Sequence, residues 1–428
     1  MEKETKKHLF KGIAIAALSL GLLILIPIIG SIISERTRFQ TEVIQEVSEK
    51  WGAQQTLYGP FLLIEYRTPT LGDHQETLYQ RKQAIFSPTQ QTITGNVATT
   101  TKKRSLYHVT LFNTDLLIDA QFDPQEKLLA SLNINDEAFV ISKKIIYGIS
   151  DTKGLSEELS LADAPNKTFA LDDNSILYTI PFLSIEYSKE EQTPTRIKLP
   201  LKLKGSANLK FLANATNTKV NLSSDYHDLK YVGNYLPDQA DQNQEATSSA
   251  WNIYQPLPIN TAKIDSVTLE NYTFGIEFLE LNDFYSKVDR SIKYALLFIG
   301  LTFIVFYFLE NIKNLKINLI QYALIGFAIF LNYILLLSFA EYVGFTLSYV
   351  ISSSATIFLI VSFTWKISKD KNSTSTIFGL LFLLYALLYF LLELKETALL
   401  VGSISIFVIL AALMQFSIKM TASNKENQ

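Results

Sequence analysis

Apolar residues along this chain follow two kinds of pattern. Near the start and through the last third they run together in long blocks. Between the blocks, from Pro60 to Phe278, they alternate with polar residues. A bilayer core about 30 Å thick is crossed by about 20 apolar residues in a helix. Six blocks reach or approach that length: Phe10–Ile33, Ile292–Leu309, Ile317–Phe339, Phe345–Trp365, Ile377–Leu392 and Ala398–Phe416. In the second block no residue from Tyr294 to Leu309 is charged. Asp289, Arg290 and Lys293 stand at one end of it, Glu310 and Lys313 at the other. One such helix suits a soluble core, but five joined by short loops do not fold in water.

The first block follows a basic start (Lys3, Lys6, Lys7, Lys11). It is longer than the apolar core of a signal peptide, and no A-x-A-like site follows it, so it reads as an uncleaved anchor that Pro27 kinks. Past the anchor, Phe39, Val43, Val47 and Trp51 recur every fourth residue, and Glu46 and Lys50 form an i,i+4 pair. This spacing predicts an amphipathic helix that continues the anchor until Trp51-Gly52 and then Tyr58-Gly59-Pro60 break it.

Beyond Pro60 the period is two. Segments such as FLLIEY, QTITGNVATT, LLIDAQF, RIKLPLKLKG and KVNLSS read as strands separated by turn residues, and predict an all-β, sandwich-like domain. Pro237–Ala250 is polar and reads as a mobile loop. The predicted order is a tail over residues 1–9, an anchor over 10–33, a membrane-proximal helix over 34–55, an extracytoplasmic β domain over 56–291, a five-span bundle over 292–416, and a tail over 417–428.

Composition agrees with partial immersion in lipid. Of 428 residues only 18% are charged, and the net charge of −3 gives no basis for a nucleic-acid partner. There is no cysteine, so a large domain outside a eukaryotic cell is disfavoured, and a bacterial inner membrane is the simpler setting. Lysine sets the orientation. Lys313 and Lys316 lie between the second and third spans, and Lys366, Lys369 and Lys371 between the fourth and fifth. Alternate loops are poor in basic residues, so both termini are expected in the cytoplasm and the large domain in the periplasm.

Chemical motifs are sparse. His8, His74, His108 and His227 do not share ligand spacing, and there is no phosphate-binding loop or dinucleotide fingerprint. No cofactor or metal is expected. Ser223–Asp228 (SSDYHD) gathers Ser, Asp and His, as turns often do. The middles of the spans carry only neutral polar residues, with Ser348, Ser352 and Thr356 on one face, a spacing that lets helices approach closely. Two sets of residues are candidate sites. Glu341 and Glu393, near the outer span ends, could meet in one polar site. Asp289, Arg290 and Lys293 could form a join between domain and membrane.

At the level of whole segments the chain resembles the CreD family of bacterial inner-membrane proteins. The resemblance is strongest over Phe274–Phe303, with further stretches at Arg36–Pro60, Tyr147–Gly154, Tyr231–Pro237, Gln321–Tyr349 and Ala398–Met414. The chain departs from the family's pattern at Glu65, where the family has proline, at Tyr342-Val343, and at Lys395-Glu396-Thr397. The resemblance implies one anchor, a periplasmic β domain and five further spans. It also implies a stress-regulated role in envelope integrity, tied to a two-component system and to colicin tolerance, with no catalytic residues to carry over. The expected protein is non-enzymatic, with the lipid bilayer as its surroundings and envelope proteins or lipids as further candidate partners. A transporter or channel for a lipid or neutral solute, and a membrane-tethered periplasmic hydrolase, are the alternatives.

Overall fold

The computed structural model describes residues 2–71, 77–134, 139–172, 180–242, 246–254, 269–278, 284–312, 317–394, 397, 400–411 and 414–415. The chain divides into two compact units. One combines Met1–Gln40 with Asn282–Gln428, and the other is Thr41–Leu281.

The helical unit begins with α1 (Glu2–Leu23) and the first part of α2 (Ile26–Trp51), whose residues from Thr41 on belong to the β unit. Between them, the Ile24 and Leu25 amides bond three residues back, to Gly21 and Leu22. The tightening precedes Pro27, whose ring removes the helical bond to the carbonyl four residues earlier. After the β unit come α4 (Phe284–Lys293), α5 (Ala295–Ile312), α6 (Leu319–Val343), α7 (Phe345–Ser368), α8 (Lys371–Glu393) and α9 (Leu400–Ala411). The helix over Phe10–Trp51 and helices α6, α7 and α8 are long and apolar enough to cross a membrane.

The second predicted span is not one straight helix. The axis bends by 45° between Phe284–Lys293 and Phe298–Phe308. The reason lies in α4. It buries Tyr285, Val288 and Ile292 on one face and carries Lys287, Asp289, Arg290 and Lys293 on the others. A helix with that much charge does not continue into hydrocarbon, so the apolar α5 starts afresh past Tyr294.

In α6 to α8 apolar residues such as Ile329, Leu336, Ile360 and Leu381 are buried, but polar ones are buried with them and large apolar ones stay outside. Asn332, Ser348, Ser352, Thr356 and Thr364 are buried, whereas Leu324, Leu331, Phe358, Phe382 and Phe390 are exposed. In lipid an exposed apolar side chain costs nothing, and a polar one must find a partner inside.

The β unit holds two main sheets. The first has eight strands. Its path runs β13 (Leu229–Gly233), β16 (Thr273–Phe278), β11 (Asn208–Leu212), β1 (Gln55–Leu71), β5 (Val140–Ile149), β9 (Phe182–Tyr187) and β8 (Ala170–Leu171), with β2 (Thr77–Phe86) also paired to β1. The second has six, in the order β10 (Arg196–Ser206), β4 (Tyr107–Gln121), β3 (Gln90–Arg104), β12 (Asn217–Ser224), β15 (Thr247–Tyr254) and β14 (Gln239–Gln242). Both sheets feed one core: Leu62, Ile64, Tyr147 and Phe274 from the first, and Ile93, Phe112, Leu199 and Trp251 from the second. The buried residues of β12 alternate strictly with exposed ones, as a one-sided strand requires. In β1, Phe61 to Ile64 are all buried, because Phe61 and Leu63 pack into a second cluster on the far face of the sheet.

Two sequence expectations are corrected here. Trp51 does end α2, with Gly52 at φ 130° and a carbonyl 2.8 Å from where a Cβ would sit. Tyr58-Gly59-Pro60, however, lies inside β1, where the register against β5 shifts, and breaks no helix. Pro237–Ala250 is not simply a loop, since β14 and the start of β15 pair within it. Its polar composition misled because these strands have one solvent-facing side. The segment SILYTIPF (Ser175–Phe182) also reads as a strand in sequence, and its residues 175–179 lie outside the described residues.

Candidate functional site

Three polar clusters stand in the helical unit, and α4 builds the first. Tyr285 donates its hydroxyl hydrogen to Glu341 Oε1 at 3.0 Å, and Arg36 Nε lies 3.7 Å from the same carboxylate. The Glu341 side chain is 9% exposed, so these contacts, and not water, supply most of its surroundings. Lys287 Nζ meets Glu393 at 2.9 and 3.1 Å and sits 5.3 Å from the centre of the Phe345 ring. Tyr285 and Lys287 are two residues apart and so point to different sides of the helix. Glu341 and Glu393 are thus held by separate side chains of α4.

The remaining candidate residues have distinct partners. Arg290 Nη2 donates to the carbonyl oxygens of Leu391, Leu392 and Leu394 at 3.2, 2.8 and 2.8 Å. These carbonyls are at the C-terminal end of α8, where unpaired oxygens and the helix dipole favour a cation. Lys293 pairs with Asp289 at 2.6 Å across one turn, largely exposed. Lys395 and Glu396 lie outside the described residues.

The second cluster is at the opposite end of α5. Glu310 accepts from Tyr322 Oη at 2.9 Å and pairs with Lys11. Lys11 also donates to the Ile317 carbonyl at 2.5 Å. The group ties α1 to α5 and α6. In the sequence Lys11 and Glu310 stand only as flanks of apolar blocks. Nothing in their spacing, 299 residues apart, signals the contact.

The third cluster is in the middle of the bundle. Thr356 Oγ1 lies 3.3 Å from Asn332 Oδ1 and donates to the Ser352 carbonyl at 2.9 Å. Tyr349 donates to the Tyr385 carbonyl at 2.8 Å. Ser348 bonds the Gly344 carbonyl four residues back at 2.6 Å. The Ser348, Ser352 and Thr356 face is therefore smooth: its hydroxyls turn to their own helix and leave room for close packing. Among the described residues the buried Tyr333 hydroxyl has no hydrogen-bond partner.

In the β unit, Glu65 is a buried acid with partners on three sides. It stands in register with Gln83 on β2 and Ser142 on β5. It accepts from Arg81 at 2.5 Å, Gln83 at 2.6 Å and Ser142 at 3.0 Å. Burial acts to raise this carboxyl, but the hydrogen bonds from Arg81, Gln83 and Ser142 outweigh it and hold the group below the usual carboxylate range. The Ser–Asp–His stretch is tied to β3 through its Ser and Asp side chains. Ser223 bonds Asn96, and Asp225 accepts from the Thr99 amide and hydroxyl. Among the described residues no group of three or more His, Cys, Asp or Glu is placed to hold a metal.

The family model described as inner membrane protein CreD matches residues 7–421. The chain belongs to the CreD family. It is 24% identical over 408 residues to the inner membrane protein CreD of Escherichia coli (strain K12), covering 92% of this chain and 89% of that one. Among solved structures, a mutant M1 zinc metallopeptidase of Deinococcus radiodurans shares 6% identity over 44% of this chain and 42% of its own, with a TM-score of 0.22. A likeness that low carries no argument. The chain combines a β-rich unit with helices long and apolar enough to cross a membrane, as an inner membrane protein requires of the latter.

Proposed function

We propose that this CreD-family protein is a non-enzymatic support of envelope integrity under stress, with its β unit outside the cytoplasmic membrane and its helical unit as the holder. On this reading the two sheets form a sandwich and the chain has six spans. The bent pair α4–α5 counts as one of them and the segment around α9 as the last. Both termini are cytoplasmic, as the lysines between spans favour.

The observation that carries the reading is how charge is used in the helical unit. Arg36, Lys287, Arg290, Glu341 and Glu393 are all engaged in joints between helices. The middles of α6, α7 and α8 contain no Asp, Glu, Lys or Arg. Ion and proton carriers place ionisable groups there, so this arrangement favours a holder over an ion-coupled carrier. A cytoplasm-specific reporter should work when fused after Gln428 or within Lys366–Ser375, and fail near Asn243. A null strain should show envelope-stress sensitivity that the full chain restores and a chain lacking residues 41–281 does not. Restoration by that shortened chain would sink the proposal.

The Tyr333 hydroxyl, buried without a partner among the described residues and beside neutral polar helices, favours a second reading: passage of a lipid or neutral solute through the bundle. Proteoliposomes that take up labelled neutral solutes or scramble lipid no faster than empty vesicles would remove it.

A further inference from the structure

The second sheet of the β unit turns one face to the core and the other away from it. On the outward face a row of side chains crosses four strands in register: Thr94, Asn221, Ala250 and Gln239. Ala250 puts only a methyl group in the middle of the row, where its neighbours carry longer side chains. A groove of about 320 Å³ opens there, walled also by Ser248 and Asp241. The side chains of Thr94, Asn221, Gln239 and Ser248 make no hydrogen bond within the described residues, so their amide and hydroxyl groups are available to a ligand.

Farther along the same face of β15 stands Tyr254. It is four residues from Ala250, or about 13 Å at the usual strand rise, and 78% exposed. It is a large aromatic ring among polar exposed side chains of β12 and β15 (the exposed Leu117 stands farther off on β4, opposite Thr94), and among the described residues it packs against no other ring. Charge is sparse around the groove, with Asp241 at it and Lys219 in the neighbouring row, whereas the clustered charges of this face lie beyond β3, where Lys198 and Lys202 on β10 stand directly opposite Asp119 and Asp115 on β4. A phosphate-rich polymer would need clustered Arg or Lys. A protein partner would need a buried apolar anchor, and the groove has none. A sugar chain needs what is present: neutral donors and acceptors for its hydroxyl and amide groups, and a flat ring for the apolar face of a pyranose.

We infer that this face binds an uncharged glycan built of hydroxyl- and acetamido-bearing sugars. Asn221, Gln239 and Ser248 bond its polar groups in the groove over Ala250, and Tyr254 stacks under a sugar farther along the chain. The inference goes beyond the proposed role, and binding in vitro does not depend on which side of the membrane the β unit occupies.

The test uses the full chain in phosphatidylcholine nanodiscs. Calorimetry with the linear hexamer of N-acetylglucosamine and co-sedimentation with purified cell-wall sacculi read a soluble and a polymeric source of the same chemistry. Saturable binding in either arm is expected. Ala250→Ile, which fills the groove with a good strand former, and Tyr254→Ala should each weaken it by at least about tenfold without lowering the melting temperature. Asn221→Ala, an exposed truncation, serves if either variant melts early. No saturable binding of either probe, unchanged binding in well-folded variants, or tighter binding of polyphosphate than of the hexamer would overturn the assignment.

Discussion

Arg290 of α4 donates to the carbonyl oxygen of Leu392 at 2.8 Å, at the end of α8, 102 residues away in the chain. The same nitrogen lies within reach of the Leu391 and Leu394 carbonyls. A side chain that reads in sequence as a marker of the membrane edge is the cap of another helix.

Arg290→Ala should therefore destabilise the purified protein by about 1–3 kcal/mol, the range for leaving partly buried acceptors unpaired. Arg290→Glu should do more, since it sets a negative charge against carbonyl oxygens and the negative end of a helix dipole. Lys293→Ala breaks only an exposed i,i+4 pair, for which about 0.5 kcal/mol or less is expected. Thermal melts in detergent rank the three, and equal losses for Arg290→Ala and Lys293→Ala would refute the capping role.

Glu65 makes the β unit sensitive to acid. Its folded-state carboxyl is held below the ordinary range, so its stabilising effect is complete above the unfolded-state pKa, about 4.3 for a glutamate. It is lost as pH falls through the lower folded-state value. Asp119 and Glu191 shift the same way, through hydrogen bonds from Arg196 and Lys167 respectively, so the wild-type curve alone does not isolate Glu65. Glu65→Gln should lower stability at pH 7 and flatten the loss between neutral and acid pH. Melting curves from pH 7 to about 3.5 read both, and parallel curves for the two proteins would remove Glu65 from the account.

Gly326 of α6 lies where a Cβ would come within 2.2 Å of Leu22 Cδ1 and 2.9 Å of Phe303 Cζ. Gly326→Val should cost about 1–3 kcal/mol by overpacking, although valine is the better apolar residue for a span. Both contact atoms are tips of side chains, so Leu22→Ala should recover part of the loss. In a double-mutant cycle the pair is expected to be more stable than the sum of the single changes predicts. Strict additivity would mean that the anchor does not pack on α6 through this glycine.

The β strands and the long apolar helices were legible because their periods, two for the strands and unbroken apolar runs for the spans, are local properties. The hairpin within Pro237–Ala250 escaped notice because its solvent-facing residues are polar and its buried ones, Thr247 and Ser249, are polar as well. Ser249 is buried against the Tyr231 hydroxyl at 3.0 Å, a partner on the other sheet. At α4 the sequence marks Asp289, Arg290 and Lys293 as a candidate join, whereas Tyr285 and Lys287, which hold Glu341 and Glu393, carry no sign beyond lying in a stretch that resembles the family.

What the sequence determined by itself was which stretches suit lipid and which suit water. That depends on the summed transfer free energy of consecutive residues, and a run such as Tyr294–Leu309 decides it without reference to anything distant. Tertiary structure alone decided which charge meets which: Lys11 with Glu310, Arg36 and Tyr285 with Glu341, Arg81 with Glu65. Hydrophobic burial is roughly proportional to area and non-directional, so composition and period announce it. A hydrogen bond or ion pair needs two groups within a few ångströms in the right orientation, and no local pattern in the chain encodes that distance.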